Sequence, residues 1–346
     1  MGRALCIVAA AIAVLSAPPA RAQDAVAQFY KGKQINVIIG SSAGGGYDIY
    51  ARLMARHLGK YIPGHPSLVP SNMPGAASGV SAAHVFHVAP KDGTVIGAPQ
   101  NTIVIETLLD EAKRSRFDAS KFLYLGSATT DHYVCIARSD APVKSFRDVL
   151  DHELIIGASQ PGTSTRDFPV MLNNMTGSKF RIVSGYPGTR EITLAIEKGE
   201  VQGLCGFSWS SLSAQRPDWL KNNFIRVLVQ EHDKGHRALN AMGVPLAVNF
   251  AKTPENRRIM DLMYSAETYG RPYVLPPGVP AARVAALRKA FMEAMRDPEL
   301  LAEAQRMGID IDPISGSDLQ ALTAKIYATP AAIVEQTRQA IIPKAP

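Results

Sequence analysis

The sequence predicts an α/β fold in which short strands alternate with helices. Apolar runs of about five residues rich in β-branched side chains recur along the chain, and stretches with apolar residues at helical spacing lie between them. This alternation is typical of sheets built largely from parallel strands. At 346 residues, 46% hydrophobic and 19% charged, the chain has the composition of a globular protein and the length of about two domains.

The first 22 residues have the pattern of a secretory signal peptide. Arg3 precedes an apolar run over residues 4–15, and Ala20-Arg21-Ala22 matches an A-x-A cleavage signal. The run is shorter than the ~20 apolar residues that a membrane span needs. Cys6 lies early in the apolar run, whereas a lipid-modified cysteine would be expected just after it. We therefore expect residues 1–22 to be removed and the mature chain to be exported as a soluble protein.

The strand candidates follow in order along the chain. Residues 35–39 form the first, and the helix that begins at Ile49 is expected to end at Pro63-Gly64. The remaining strand candidates are residues 94–98, 133–137, 154–158, 201–207 and 224–229. The last seventy or so residues are instead predicted to be helical. Pro280 suits a first helical position there, and Gly308 suits a helix stop.

The stretch SSAGGGYD, residues 41–48, lies between the first strand and the first helix. Such a loop presents unpaired backbone N–H groups and a partial positive charge to an anion, although a plain tight turn is an equal alternative. A dinucleotide fingerprint would need glycine where Ile49 stands, and the phosphate-loop G-K-[ST] is missing. Asp48 would either cap the helix or limit the negative charge that the pocket accepts.

Two further loops of the second half have the same setting. Residues 158–168 (ASQPGTSTRDF) follow an apolar strand, and residues 185–190 (GYPGTR) precede an amphipathic run that stops at Gly199. Ser164 and Asp167 have capping-box spacing, so ordinary helix capping is the alternative to ligand binding. Pro169 predicts that the helix begins a few residues after Ser164.

Charge and cysteine content narrow the function further. Removal of Arg3 and Arg21 leaves 35 basic against 30 acidic side chains, a net charge of +5 that suits a small acidic ligand. The short run KRSR at residues 113–116 is interpreted as a solvated loop, so nucleic acid is not expected as a partner. We expect Cys135 and Cys205 to be buried thiols, since nothing in the sequence brings them together.

Six short motifs succeed one another along the mature chain. They are GGGYD at 44–48, NMPGAASG at 72–79, APKDGTVIG at 89–97, PGTST at 161–165, GYPGTREITLAIEKGEV at 185–201 and LPPGVP at 275–280. Each is weak alone, but together they cover nearly the whole mature chain. In this order they resemble the extracytoplasmic solute receptors of tripartite tricarboxylate transporters, the TctC-like or Bug family. Departures at residues 41–43, at Tyr47 and at Arg190-Glu191 leave the identity of the ligand open.

The resemblance implies a type II periplasmic binding protein fold with two α/β lobes and two crossover segments. Lobe 1 would comprise residues 23–130 and 269–346, and lobe 2 residues 131–268. Closure of the lobes would aim backbone amides of both at one carboxylate. The ligand-binding residues that follow from this resemblance are Ala43, Gly44, Gly45, Gly46, Tyr47, Asp48, Gln100, Asn101, Gly162, Thr163, Ser164, Thr165, Tyr186, Thr189 and Arg190.

Two of these assignments have equal alternatives. The Arg190 guanidinium either pairs with a ligand carboxylate through two hydrogen bonds or is a surface charge in the first turn of a helix. Gln100 and Asn101 either donate to a distal polar group of the ligand or cap a loop.

The expected function is capture of a small mono- or dicarboxylate in the periplasm and its delivery to the membrane permease of a tripartite tricarboxylate transporter. The receptor is expected to be a monomer without cofactor or metal. A ligand-sensing partner of a membrane sensor kinase would use the same fold and site. An enzyme is the remaining alternative, but the sequence has no G-x-S-x-G, H-E-x-x-H or spaced Cys/His metal motif.

Overall fold

The computed structural model describes residues 19–232 and 234–344. Most of the predicted signal peptide, residues 1–18, lies outside the described residues. The strands are β1 (Gln34–Ile39), β2 (Ser67–Asn72), β3 (Val95–Ala98), β4 (Leu123–Ser127), β5 (Tyr133–Arg138), β6 (Leu154–Ala158), β7 (Phe180–Ser184), β8 (Gly203–Ser208), β9 (Ile225–Glu231), β10 (Pro272–Leu275) and β11 (Ile314–Ser315).

Helices fill most of the chain between the strands. They are α1 (Pro19–Tyr30), α2 (Gly46–Leu58), α3 (Gly79–Ala83), α4 (Ile103–Leu109), α5 (Glu111–Arg116), α6 (Asp148–Asp151), α7 (Ser164–Thr176), α8 (Thr189–Lys198), α9 (Trp209–Gln215), α10 (Asp218–Lys221), α11 (Arg237–Ala241), α12 (Pro254–Tyr264), α13 (Ala281–Ala294), α14 (Pro298–Met307), α15 (Gly316–Tyr327) and α16 (Ala331–Ala340). Short 3₁₀ segments cover Ala76–Ser78, Ala119–Lys121, Ala247–Phe250 and Ser265–Tyr269, and His84–Val88 is a π-helical turn.

The strands form two sheets, so the predicted α/β fold class is confirmed. The six-stranded sheet has the order β11-β4-β10-β3-β1-β2, and the five-stranded sheet has the order β7-β6-β8-β5-β9. The expectation of largely parallel strands was wrong, because both sheets are mixed. β1 runs parallel to β2 and β3, whereas β10 is antiparallel to β3 and β4. In the second sheet β6 runs parallel to β7 and β8, whereas β5 is antiparallel to β8 and β9.

Two crossovers produce these antiparallel strands. The chain leaves the first sheet after β4 to enter the second at β5, and it returns after β9 to insert β10 between β3 and β4. The crossovers lie side by side: the Asp131 amide donates to the Glu267 carbonyl at 2.8 Å, and the Ala128 amide donates to the Arg271 carbonyl at 3.1 Å. The limits of the two lobes within these segments stay a prediction.

The C-terminal helices pack in two different places. α13 packs on α1, α2 and β4, and its side chains Leu287 and Phe291 are fully buried. α14 begins with Pro298 and ends at Gly308, which adopts φ +66° as the predicted helix stop. α16 packs on α4, α7 and α12, so the last helix contacts elements next to both sheets.

The two mature cysteines form a disulfide, which corrects the expectation of free thiols. Cys135 of β5 and Cys205 of β8 are bonded, with their Cα atoms 3.9 Å apart. The strands are antiparallel neighbours, and both residues are fully buried. Sequence reasoning missed this bond because the pairing of two strands separated by some seventy residues cannot be derived from local pattern.

Candidate functional site

The glycine loop after β1 is held by a side chain from the helix that follows it. Gly44 adopts φ +78°, a conformation that favours glycine, and its amide donates to Asp48 Oδ2 at 2.8 Å. Arg52 Nε and Asn72 Nδ2 both donate to Asp48 Oδ1, at 2.9 and 2.8 Å. Burial opposes ionisation of Asp48, but these three hydrogen bonds outweigh it and lower its pKa. Asp48 therefore orders the loop as an ionised carboxylate.

Helix α2 begins at Gly46, three residues before the predicted start at Ile49. Gly46 lies against α9, a helix from the second half of the chain. A Cβ added to Gly46 would lie 1.9 Å from Ser211 Oγ of that helix. The same Cβ would lie 3.3 Å from Arg271 Nη2. Glycine at this position therefore allows the N-terminus of α2 to approach α9 closely.

The second loop leads into α7. The helix begins at Ser164, not later as predicted, and Pro169 lies inside it, where the ring forgoes one backbone hydrogen bond. The capping-box alternative was also wrong, because the N-cap Thr163 makes no capping bond and Ser164 Oγ donates to the Gly206 carbonyl at 2.9 Å. Asp167 instead accepts from the Gly162 amide at 2.9 Å. Like Asp48, it orders the loop from within the helix.

The third loop leads into α8, whose N-cap is Gly188. Thr189 accepts a hydrogen bond from Gln215 Nε2 of α9 at 3.0 Å. Ile192 and Ile196 are fully buried, and Gly199 ends the helix with φ +77°, as the sequence predicted. Ser42 Oγ lies 3.5 Å from Glu191 Oε2, which places the first loop in contact with the first turn of α8.

The three loops enclose a cavity of about 50 Å³. Its lining consists of Ser41, Ser42, Gly45, Gly46, Tyr47, Gln100, Tyr133, Ser159, Thr163, Ser164, Thr165, Pro187, Gly188, Thr189, Gly206, Phe207, Ser208, Ser211 and Arg271. The N-terminal ends of α2, α7 and α8 all contribute to it, and none of their N-cap residues makes a side-chain capping bond. Unpaired amides and the positive ends of three helix dipoles therefore converge on one small space.

One polar network joins the two halves beneath the cavity. The Tyr47 hydroxyl donates to Asn101 Oδ1 at 2.8 Å and lies 3.1 Å from the Tyr133 hydroxyl. Tyr133 also donates to Asn101 Oδ1 at 3.1 Å, and Asn101 Nδ2 donates to the Ala266 carbonyl at 3.0 Å. The predicted site residue Asn101 thus positions two tyrosines that line the cavity.

Arg271 is a lining residue that sequence reasoning missed. Its side chain is 2% exposed; Nη1 pairs with Asp131, and Nη2 donates to Ser208 Oγ and Ser211 Oγ at 2.8 Å each. The guanidinium carbon lies 4.4 Å from the ring centroid of Tyr47. Arg271 lies outside the three glycine loops. The sequence feature that could have indicated it is the presence of this arginine within the otherwise apolar run just before PPGVP.

The other predicted site residues lie outside the lining. Arg190 is exposed and lies over the first loop, with Cδ 3.1 Å from where a Cβ on Gly44 would stand. Tyr186 is half-buried beside Gly157. The predicted ligand-binding residues not found in the lining are Ala43, Gly44, Asp48, Asn101, Gly162, Tyr186 and Arg190.

Gly162 lines another cavity, of about 670 Å³, between α4, α5, α7 and the C-terminal segment. This cavity is much larger, but most of its charged side chains pair with one another. Arg166 Nη1 lies 2.8 Å from Asp167 Oδ1, and Lys113 Nζ lies 3.3 Å from Glu106 Oε2. Among the described helices of eight or more residues, α7 alone directs an uncapped N-terminus into it, whereas three such N-termini meet at the smaller cavity. We therefore assign the candidate site to the smaller cavity.

Two groups in the described part of the chain bring three potential metal ligands together, and neither fits a metal ion. In the first, with Glu231, the sulfurs of Cys135 and Cys205 are already bonded to each other. In the second, His57 lies with Asp297 and Glu299, but the Lys60 ammonium pairs with both carboxylates.

Comparison with known proteins gives the architecture a name. No protein-family model matches the chain. The periplasmic binding protein BugD has a TM-score of 0.71 at 17% identity, covering 90% of this chain and 98% of that one. MatC from Rhodopseudomonas palustris, solved with malate, has a TM-score of 0.68 at 17% identity and covers 88% and 99%. The chain has a periplasmic binding protein fold.

The sequence comparison agrees with this fold. A UPF0065 protein of Bordetella bronchiseptica is 23% identical over 316 residues, 87% of this chain and 83% of that protein. UPF0065 is the Bug family, so the resemblance to TctC and Bug receptors is confirmed. An R. palustris protein solved with adipate also has this periplasmic binding protein fold, with a TM-score of 0.69 at 20% identity, covering 89% and 97%.

Proposed function

We propose that this chain is a periplasmic solute receptor that captures a small carboxylate between its two lobes and delivers it to the permease of a tripartite tricarboxylate transporter. The main support for this proposal is the convergence of three uncapped helix N-termini, from α2, α7 and α8, on one cavity. Such N-termini bind anions through backbone N–H groups and the helix dipole.

The arrangement favours a carboxylate over a multiply charged anion. Each helix end carries roughly half a positive charge. Arg271 is the one charged side chain among the described lining residues, and Asp131 neutralises it. Relatives with this fold were solved with malate and with adipate, both carboxylates, which supports the same ligand class here.

The proposed role is binding without catalysis, by a monomer in the periplasm. No helix in the described part of the chain combines the length and the apolar composition needed to cross a lipid bilayer. Delivery to a membrane-embedded permease would therefore be a protein–protein contact made by the ligand-bound receptor. Ligand binding would shift the receptor towards the closed form, and so towards that contact, only as far as the ligand binds the closed form more tightly than the open form.

Thermal unfolding of the mature chain tests the proposal. The panel contains mono- and dicarboxylates, with amines as cationic comparisons and sugars as uncharged ones. A carboxylate at a hundred times its dissociation constant should add about 2.7 kcal/mol of stability, which corresponds to a rise of a few degrees in Tm. An unchanged Tm with every carboxylate would contradict carboxylate capture.

The variant Gly46→Ala tests the location of the site. The added methyl group would collide with Ser211 and hold α2 away from α9, so we expect carboxylate affinity to fall more than tenfold by calorimetry. Gly79→Ala is the matched control, because Gly79 does not line the cavity and its Cβ would meet Ala76 Cβ at an ordinary 3.4 Å. Equal affinities of the two variants would remove the cavity from the proposal.

A further inference from the structure

Glu106 of α4 contacts the second glycine loop. α4 follows β3 of the six-stranded sheet, whereas Gly162 lies in the loop after β6 of the five-stranded sheet. A Cβ added to Gly162 would overlap the Glu106 carboxyl group, so this carboxyl group lies directly against the loop. Thr163, the next residue of the loop, lines the candidate site. The contact therefore joins the two halves of the molecule next to that site.

The contact leaves the Glu106 carboxyl group buried and incompletely hydrogen-bonded. Its side chain is 7% exposed, and Oε1 has no hydrogen-bond partner among the residues that the structure describes. Oε2 lies 3.3 Å from Lys113 Nζ. A buried carboxylate is costly to keep ionised unless it is well paired, whereas a protonated carboxyl group carries no charge. Contact between the halves therefore favours the protonated form of Glu106.

The surrounding charges do not reverse this preference. Burial raises the pKa of Glu106 well above its ordinary value, although the Lys113 ammonium acts in the opposite direction. The carboxylates of Asp167 and Asp110 act in the same direction as burial. The other charged side chains that line the adjacent larger cavity are Glu111, Arg166, Glu335 and Arg338, of which Arg166 pairs with Asp167 and Arg338 pairs with Glu335.

Separation of the halves would expose Glu106 to water and leave its ion pair in place. Lys113 belongs to α5, which follows α4 in the same half, so the ammonium would stay beside Glu106. Asp167 differs, because its partners, the Gly162 amide and Arg166, belong to its own half and would move with it. Of these two buried carboxyl groups, Glu106 is therefore the one whose protonation depends on contact between the halves.

We propose that Glu106 links closure of the lobes to proton uptake, binding a proton when the lobes close and releasing it when they open. This inference rests on the lobe closure of the proposed function and goes beyond ligand capture. Because the closed form binds an additional proton, a fall in pH shifts the receptor towards the closed form, by at most about tenfold in the closed-to-open ratio per pH unit. The shift occurs between the ordinary Glu106 pKa of 4.5 and its raised pKa in the closed form.

Small-angle X-ray scattering on the ligand-free mature chain tests the inference. We expect the radius of gyration to rise between pH 5 and 9 as the open form becomes populated. Glu106→Gln retains the shape of the side chain but cannot ionise, so its radius of gyration should stay at the smaller value throughout. Glu111→Gln, at an exposed position that lines the same cavity, is the matched control and should behave like the wild type.

Two results would overturn the inference: a wild-type radius of gyration that does not change with pH, or a Glu106→Gln variant that keeps the wild-type change. Neither would affect carboxylate capture, which the thermal-unfolding panel tests separately. Lys113→Gln gives a second test if Glu106→Gln does not fold. Loss of the ammonium raises the pKa of Glu106 in both forms, so the change in radius should move to higher pH. An unchanged pH dependence of Lys113→Gln would also contradict the inference.

Discussion

Glu231 is a carboxyl group buried at the end of β9, beside the disulfide. Its side chain is fully buried, Oε2 accepts from the Gly206 amide at 2.6 Å, and Oε1 has no hydrogen-bond partner among the described residues. Burial raises the pKa of Glu231 to about 8, although the Gly206 amide acts in the opposite direction. The folded chain therefore holds Glu231 protonated at neutral pH.

This shift makes stability depend on pH. Between the unfolded pKa of 4.5 and the folded pKa of about 8, the folded state binds more protons than the unfolded state, so the free energy of unfolding falls as pH rises. The effect is complete above the folded pKa. We expect Glu231→Gln to flatten this fall, as measured by denaturant unfolding between pH 5 and 9.

Glu200→Gln, at an exposed position, is the control and should retain the wild-type dependence of the free energy of unfolding on pH. Buried Glu106 and Asp167 also have raised pKa values, chiefly because of burial, so the slope of Glu231→Gln should decrease without vanishing. Identical slopes for Glu231→Gln and the wild type would show that Glu231 is ionised in the folded chain.

At the residue scale, the sequence predicted loop backbones better than side chains. Gly45, Gly46 and Thr163 line the cavity, because a strand–loop–helix pattern fixes where a helix N-terminus points. Arg271 and Ser208 come from outside the three loops and reach the cavity through the crossover and β8. No local pattern relates positions so far apart in the chain.

At the scale of elements, most strands with continuous apolar runs were predicted, although β4 (LYLGS) and β7 (FRIVS) were not. β6 has the predicted bounds, and β1 and β3 differ by one residue. β2 was missed because its sequence, SLVPSN, is half polar and contains Pro70, which an edge strand tolerates. β10 was missed because it is four residues long and starts with proline.

The disulfide is the element-scale feature with a measurable effect on stability. Cys135 and Cys205 close a loop of 70 residues, which contributes about 4 kcal/mol in the chain-entropy description. We expect reductant to lower the free energy of unfolding of the wild type by that order in equilibrium denaturation. The double variant Cys135→Ala/Cys205→Ala should be insensitive to reductant. If reductant also leaves the free energy of unfolding of the wild type unchanged, the two cysteines are not bonded to each other.

At the scale of the whole molecule, Arg271 connects the two halves. It follows the second crossover, pairs with Asp131 of the first, and bonds to Ser208 and Ser211 next to the second sheet. Arg271→Ala would leave Asp131 as a buried, unpaired charge, which typically costs about 3–5 kcal/mol. We expect a loss of that size in denaturant unfolding.

The double variant Asp131→Asn/Arg271→Met separates charge from packing. It removes both charges and retains much of the side-chain volume, so it should be more stable than Arg271→Ala alone. If the double variant is the less stable of the two, the ion pair contributes through something other than charge compensation.

The insertion of β10 between β3 and β4 has a consequence for how the chain is made. The centre of the first sheet is missing until residues 272–275 leave the ribosome, long after β1, β2 and β3 have been synthesised. Pairing over so large a sequence separation is slow to form. A nascent chain of this protein therefore stays incompletely folded through most of translation, which is the condition in which a polypeptide can still be threaded through a narrow translocation channel.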